Sequence, residues 1–144
     1  MTRILATAAA LALLAGGAAF AETHEVRMLN KGSDGARMVF EPSFLQVEPG
    51  DTVKFLATDR AHNAETVDTM IPAGAEGFTG KINEEIEVTL DAPGLYGVIC
   101  KPHFAMGMVM TVAVGDVEAA PDDFLEGRIP RKALERFEEQ LGNL

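Results

Sequence analysis

The sequence predicts an all-β sandwich followed by two short C-terminal α-helices. From His24 to Val114, short apolar or alternating runs are separated by turns that contain proline and glycine, which is the pattern of a sandwich of short strands. After Gly115 the pattern becomes helical. The chain shows no internal repeat and no low-complexity linker, and about 120 residues remain after an N-terminal signal, a length that suits one domain with one core.

The first 21 residues have the features of a secretion signal. Arg3 gives a positive start, residues 4–14 form a short apolar run, and Ala19-Phe20-Ala21 fits a small-residue cleavage site. The apolar run is shorter than the roughly 20 apolar residues that are needed to span a bilayer. We therefore expect residues 1–21 to be removed, leaving an exported single domain over residues 22–144 that does not span a membrane.

The strands are placed by apolar runs and by the turns between them. Runs of strand character lie at residues 44–47, 53–57, 86–90, 95–99 and 109–114. Proline followed by glycine, at Pro49-Gly50 and Pro93-Gly94, provides tight reversals that join strand pairs or form sheet corners. The last two runs flank a single loop, so we expect them to be antiparallel neighbours that hold this loop at both ends.

The tail from about residue 121 predicts two helices. Residues 121–126 begin with proline and two aspartates, which are tolerated or favourable at the start of a helix. Pro130 can begin a second helix, in which Leu134, Phe137 and Leu141 form a narrow apolar stripe. We expect this stripe to pack over one face of the sandwich, and a partner-binding amphipathic helix is the alternative.

The charge of the chain is strongly acidic. The formal net charge is −10, and without Arg3 of the signal the remaining 11 basic and 22 acidic residues give −11, which argues against a nucleic-acid partner. The basic residues that lie in or beside the segments expected around the functional loop are Lys31, Arg37, Arg60 and Lys101. Such a cluster would give the molecule a dipole that orients docking. Ordinary solvated loop charges explain the same four residues equally well.

The loop between the last two predicted strands carries the strongest chemical signal. Residues 100–108 contain Cys100, which is the only cysteine of the chain, together with His103, Met106 and Met108. A lone thiol in an exported protein is open to oxidation or cross-linking, and a bond to a metal protects it. The alternative is a buried cysteine that acts as a small apolar residue. The histidine and methionines at short spacing favour a metal ligand.

A thiolate, imidazoles and a thioether together favour copper. His103 is one nitrogen ligand and His62 is the natural second, whereas His24 has no spaced partner and is expected to be an ordinary strand residue. A thioether would be the weak axial ligand. Met106 and Met108 follow His103 with two and four residues between, so spacing alone does not decide between them. The wider sequence favours Met108 and leaves Met106 as a surface or packing methionine near the site.

Two neighbours of these ligands are expected to support the site. Asn63 directly follows a ligand and can brace the two loops through hydrogen bonds. Pro102 has no N–H to donate to the thiolate, and its ring stiffens the loop between Cys100 and His103. Ordinary turn chemistry explains both residues nearly as well.

Several segments of the chain resemble one known family. These segments are residues 28–32, 38–42, 50–53, 62–63, 81–84 and 100–108. With them, the chain resembles the small blue copper proteins, or cupredoxins, and within that family it is most similar to the pseudoazurins. The resemblance runs over nearly the whole mature chain, and the last segment is the most specific.

The resemblance implies an eight-stranded Greek-key sandwich with one type I copper ion at one end. The implied ligands are His62, Cys100, His103 and Met108. The protein is then expected to be a monomeric electron carrier of the periplasm, not an enzyme. It would take electrons from a periplasmic or membrane donor and pass them to copper nitrite reductase or another reductase.

The resemblance also implies where electrons leave the protein. In this family the electron passes through the exposed edge of the ligand that matches His103. The surrounding apolar patch corresponds to Met38, Pro102 and Met106. Lysines usually ring that patch, but here basic residues are fewer and Arg60 stands where lysine is common, so the sequence leaves the partner open.

Four alternatives are compatible with parts of this pattern. A periplasmic copper carrier or scavenger without a redox role would display the same ligand types, although such carriers usually need an open, exchangeable site. An enzyme that uses Cys100 as a nucleophile would need an accessible thiolate and an orienting third group, and a substrate-reducing copper domain would need an open coordination position. A purely structural sandwich is the remaining alternative.

Overall fold

The computed structural model describes residues 20–144. The predicted signal segment, apart from Phe20 and Ala21, lies outside the described residues. The strands in the described part are β1 Thr23–Lys31, β2 Arg37–Glu41, β3 Phe44–Val47, β4 Asp51–Leu56, β5 Glu65–Thr66, β6 Ile86–Leu90, β7 Gly94–Ile99 and β8 Val109–Val114. One α-helix, α1 Arg131–Leu141, follows them, and two short 3-10 segments cover Asp68–Met70 and Lys101–Met106.

The eight strands of the described region form two four-stranded sheets, with orders β2-β1-β4-β6 and β3-β8-β7-β5. The pairs β1–β4 and β3–β8 are parallel, and the other neighbours are antiparallel. The chain passes repeatedly from one sheet to the other, as in a Greek-key sandwich. The predicted sandwich is therefore confirmed. Pro49-Gly50 and Pro93-Gly94 each lead into a strand of the opposite sheet, so both turns are sheet corners.

Burial of both faces of β8 explains why its sequence is a nearly continuous apolar run. Its alternate residues Met110, Val112 and Val114 belong to the buried cluster between the two sheets. Val109 and Ala113 point the other way, into a second buried cluster that α1 covers. Because both faces of β8 are covered, no polar residue is needed along the strand apart from the buried Thr111.

The tail contains one helix in place of the two predicted. Residues 121–126 form turns, in which Phe124 N–H bonds Pro121 O at 3.0 Å and Glu126 N–H bonds Asp123 O at 3.1 Å. Nucleating a helix fixes several residues for one hydrogen bond, so a six-residue segment gains too little from helix formation to offset this cost. Burial of Phe124 against Phe137, with ring centroids 6.5 Å apart, holds the segment instead.

Helix α1 packs over the β8 face of the sandwich, as expected, but with a different stripe. Its buried residues are Ala133, Phe137 and Gln140, whereas Leu134 and Leu141 are only half-buried. Gln140 is buried because both ends of its amide have partners. Its Oε1 accepts from Thr111 Oγ1 and its Nε2 donates to Val109 O, each at 2.9 Å. A pattern of apolar residues alone does not reveal a buried glutamine.

Among the described residues, no helix is long and apolar enough to cross a membrane.

Candidate metal centre

The loop at residues 100–108, here called the ligand loop, joins β7 to β8. These strands are antiparallel, with Ile99 opposite Val109 in the register, so the prediction that the loop is held at both ends is confirmed. Backbone hydrogen bonds close it: Cys100 N–H bonds Met108 O at 2.9 Å, and Met108 N–H bonds His103 O at 3.1 Å. Backbone hydrogen bonds alone therefore fix the relative positions of Cys100, His103 and Met108.

The structure brings His62 to the ligand loop. The two histidine Nδ1 atoms of His62 and His103 lie 3.1 Å apart, and Cys100 Sγ lies 3.7 Å from the first and 3.5 Å from the second. Among the described residues, these three form the only group of histidine, cysteine and acidic side chains with metal-binding spacing. His24 lies elsewhere, with its Nε2 3.0 Å from Asp51 Oδ2.

These separations fit a trigonal metal. For a triangle with sides of 3.1, 3.5 and 3.7 Å, the point equidistant from all three donor atoms lies about 2.0 Å from each. Metal–nitrogen bonds of histidine and metal–sulfur bonds of cysteine have lengths of about 2.0 to 2.3 Å. A trigonal set of two histidines and one cysteine is the geometry of blue-copper electron-transfer sites.

Hydrogen bonding sets the tautomer of His62. Its Nε2 lies 2.9 Å from Asn30 Oδ1, and since an amide oxygen only accepts, Nε2 must carry the proton. Nδ1 then presents its lone pair to the cluster. Burial of His62 lowers its pKa, the neighbouring His103 lowers it further, and Asp59 has the opposite effect. The lowered pKa favours the neutral imidazole, which is the form that binds a metal.

Cys100 is fully buried. Burial raises the pKa of its thiol, and backbone hydrogen bonds from Asn63 and His103 act in the opposite direction. A buried thiol with a raised pKa is a poor nucleophile near neutral pH, because the thiolate is the reactive form. A metal cation that replaces the proton gives the thiolate its counter-charge.

The two candidate methionines differ in burial. Met108 is fully buried and belongs to the same core cluster as Cys100. Met106 is 41% exposed and lies at the surface. This burial, in the same cluster as Cys100, favours Met108 over Met106 as the axial thioether.

Asn63 links the loop of His62 to the ligand loop. Its Oδ1 accepts from Lys101 N–H at 2.8 Å, and its Nδ2 donates to Gly80 O at 3.0 Å and to Glu65 Oε2 at 2.9 Å. One side chain therefore connects three segments, and all its polar atoms have partners.

Two further supporting residues were missed by the sequence reasoning. Asn30 orients His62, as described above. Asn83 holds the other side of the same loop, because its Oδ1 accepts from Ala61 N–H at 2.6 Å and its N–H donates to His62 O at 2.8 Å. Asn83 has φ +64°, a left-handed conformation that asparagine tolerates better than most residues. The tolerance of asparagine for this conformation is the only local feature of the sequence that points to Asn83.

The three apolar residues expected around His103 are all at least partly exposed. Pro102 and Met106 are exposed, and Met38 is half-buried. We call these three residues the apolar patch. His103 is half-buried, whereas His62, Cys100 and Met108 are fully buried.

Four basic residues lie close to this surface along the chain. They are Lys31, Arg37, Arg60 and Lys101, and all four are exposed. Within residues 20–144, none of the four takes part in an ion pair.

Comparison with known proteins agrees with this geometry. Residues 26–115 match the family model of copper binding proteins, the plastocyanin/azurin family. The chain is 51% identical over 139 residues to a pseudoazurin of Paracoccus pantotrophus, covering 96% of this chain and 94% of that protein.

Solved structures give the same result. The pseudoazurin of Methylobacterium extorquens AM1 is 36% identical with a TM-score of 0.78, and the match covers 84% of this chain and 98% of that one. For the pseudoazurin of Hyphomicrobium denitrificans the identity is 38%, the TM-score is 0.77, and the coverage is 85% and 98%. The chain therefore belongs to the plastocyanin/azurin family of copper-binding proteins and, within it, to the pseudoazurins, which are blue copper electron carriers and not enzymes.

Proposed function

We propose that this chain carries single electrons in the periplasm through one type I copper ion held by His62, Cys100 and His103, with Met108 as axial ligand. The observation that carries this proposal is the triangle of two Nδ1 atoms and one Sγ, whose sides of 3.1, 3.5 and 3.7 Å suit a single metal at trigonal distance from all three. We further propose copper nitrite reductase of denitrification as an electron acceptor.

Bound copper supplies a one-electron couple between Cu(II) and Cu(I). The chain's own residues keep the barrier to electron transfer low by limiting movement. Asn30 and Asn83 hold His62 from both sides, and Asn63 ties its loop to the ligand loop. Burial of Cys100 and Met108 excludes water from the two sulfur ligands. A rigid, dry surrounding needs little rearrangement when the charge of the site changes.

Electrons have one short route to the surface. His103 is the only one of the four proposed ligands that is not fully buried, and in the ligand loop it lies between the exposed residues Pro102 and Met106. A small apolar contact suits a carrier, because transient redox encounters bury little area and dissociate quickly. The basic residues around the patch would orient an acidic partner surface.

The periplasmic location and the acceptor depend on other observations than the copper site. The location is supported by the signal features of residues 1–21. The acceptor follows from the resemblance to pseudoazurins, and the unpaired basic residues beside the patch are compatible with an acidic docking surface.

The first test is spectroscopic. Residues 22–144 are purified and mixed with one equivalent of Cu(II), and visible and electron paramagnetic resonance spectra are recorded through a cycle of reduction and reoxidation. We expect an intense blue band and a narrow copper hyperfine splitting that disappear and return. Cys100→Ser should remove the blue band while the sandwich remains folded. A colourless complex of the wild-type chain would reject the type I site and favour a copper carrier.

The choice of axial ligand has its own test. Replacing Met108 with leucine should change both the copper spectrum and the reduction potential, because the axial ligand tunes them. Met106→Leu is the matched control, with the same substitution at an exposed position, and should leave the copper spectrum nearly intact. The opposite pattern would assign Met106 as the axial ligand.

The acceptor is tested separately. The reduced protein is mixed with purified copper nitrite reductase, and its reoxidation is followed at the blue band at several salt concentrations. Electron transfer that slows as salt increases is expected, since screening weakens the steering of charged surfaces. A reversible blue site without reoxidation by this reductase would reject the acceptor and leave the electron carrier intact.

A further inference from the structure

Arg136 of helix α1 contacts two segments that flank the copper site. Its Nη1 donates to Met38 O and to Gly107 O, each at 2.7 Å, and its Nη2 donates to Arg37 O at 2.9 Å. Met38 belongs to the apolar patch, and Gly107 lies between Met106 and Met108. We propose that Arg136 is a positioning residue of the copper site, which fixes the end of the ligand loop and the apolar patch relative to each other.

The three hydrogen bonds are of a strong kind. A guanidinium carries a permanent charge and presents its N–H donors in a rigid planar fork, so each bond to a carbonyl is charge-assisted. All three acceptors are backbone atoms, and therefore the contact fixes the course of the chain at residues 37, 38 and 107. Arg136 itself is half-buried on a helix that Phe137 anchors in the core.

Both segments have a left-handed backbone conformation at the residue whose carbonyl Arg136 binds. Gly107 has φ +85°, and a Cβ atom at this position would lie 2.9 Å from Lys132 Cγ and 3.1 Å from Lys132 O. The ligand loop therefore approaches α1 more closely than a side chain would allow. Met38 has φ +53°, a left-handed conformation that is uncommon for residues other than glycine. Arg136 bonds the carbonyl of each of these two residues.

The effect on the site follows from the chain connection. The carbonyl carbon of Gly107 is bonded to the nitrogen of Met108, so holding Gly107 O limits the movement of the proposed axial ligand. Met108 is also held by its own hydrogen bonds to Cys100 and His103. Loss of Arg136 should thus loosen the end of the ligand loop without opening the sandwich. The inference rests on the proposed copper site.

The helix provides a matched control. Arg131 lies on the same helix, its side chain is 93% exposed, and its only ion pair among the described residues is with Glu135 at 2.9 Å. Arg131→Met therefore removes the same charge from the same helix without touching either segment. Arg136→Lys keeps the charge. Because Met38 O and Gly107 O both accept from Nη1 of Arg136, the single ammonium of lysine can replace some of these hydrogen bonds.

The test compares Arg136→Met, Arg136→Lys and Arg131→Met with wild type. For the copper-loaded proteins we measure the electron paramagnetic resonance spectrum and the rate of copper loss to a chelator. We expect Arg136→Met to lose copper about tenfold faster than wild type. Mutating a residue that supports a metal ligand typically weakens metal affinity by about 10- to 100-fold, and the expected change lies at the lower end of that range. Its spectrum should also differ from that of wild type. Arg131→Met should match wild type, and Arg136→Lys should fall between.

A second measurement uses the protein without copper, so that this inference and the proposed function can fail separately. Amide hydrogen exchange at residues 106–108 should be faster in Arg136→Met than in Arg131→Met. A wild-type protein without a blue spectrum would reject the copper site, and the exchange data would still decide whether Arg136 orders the loop. Equal spectra, copper loss and exchange in Arg136→Met and Arg131→Met would overturn the inference. If Arg136→Met does not fold, Arg136→Lys decides, and a wild-type result in all three measurements overturns it.

Discussion

The hydrogen bond between His62 Nε2 and Asn30 Oδ1, 2.9 Å long, allows a sharp test of how the site is prepared for metal. Asn30→Leu removes the acceptor and fills its place with an apolar group of similar size. The proton on Nε2 then has no protein acceptor. When no metal is bound, His62 can avoid this cost by carrying its proton on Nδ1. However, Nδ1 faces His103 and Cys100 and is the atom proposed to bind copper, so it cannot keep the proton when copper binds. The cost therefore falls on copper binding.

The magnitude follows from the burial of His62, which is fully buried. Leaving a buried donor without an acceptor costs about 1–3 kcal/mol, which corresponds to roughly 5- to 150-fold weaker binding. Asn30 itself is exposed. In Asn30→Ala, water can enter and accept the proton, so the loss should be smaller than in Asn30→Leu.

The assay is competition for copper between the protein and a chelator of known affinity. Asn143→Leu is the control, because Asn143 is exposed and its side chain bonds only Gln140 O, at 2.9 Å, among the described residues. We expect affinity to fall in the order wild type and Asn143→Leu, then Asn30→Ala, then Asn30→Leu. If Asn30→Leu binds copper as tightly as wild type, or more tightly than Asn30→Ala, the tautomer argument is wrong.

Two further predictions concern the stability of the sandwich. Phe137→Ala should lower the free energy of unfolding by about 3–5 kcal/mol, because it leaves a cavity between α1 and β8, and a loss below about 1 kcal/mol in urea unfolding would contradict this. Asp51 accepts hydrogen bonds from Glu22 N–H, His24 Nε2 and Glu48 N–H, which lower its pKa to about 2. Because the pKa is lowered on folding, Asp51 stabilises the fold above about pH 4, and this contribution is lost as the pH falls toward 2. Asp51→Asn should flatten the stability curve in that range, and an unchanged curve would show that other carboxylates dominate acid unfolding.

The sequence predicted the parts of the site that are local in the chain. Cys100, His103 and Met108 lie on one loop between two recognisable strands, so their spacing alone indicated a metal ligand set. The structure agrees with the further choice of His62. The burial of Met108 and the exposure of Met106 add an observation that spacing did not supply.

The residues to which we assign a supporting role were not predictable in the same way. Asn30 is 32 positions from His62, and Arg136 is 98 positions from Met38. Neither forms a spaced motif, because a hydrogen bond between remote segments leaves no periodic pattern. The wrong prediction of which residues α1 buries has a related cause. Burial of Gln140 depends on partners in β8, 29 and 31 positions away, which periodicity within the helix cannot show.

The exposure of the four proposed ligands limits how any partner can exchange electrons with this protein. Among the four, only His103 is not fully buried, so under the proposed function donors and acceptors would use the same apolar patch in turn. Selectivity then depends on the charges around that patch. The formal net charge of the chain is −10, so an acidic partner would be repelled by the molecule as a whole. If Lys31, Arg37, Arg60 and Lys101 form the docking surface that we propose, they would attract such a partner to the copper end, and this charge asymmetry would contribute more to orientation than to affinity.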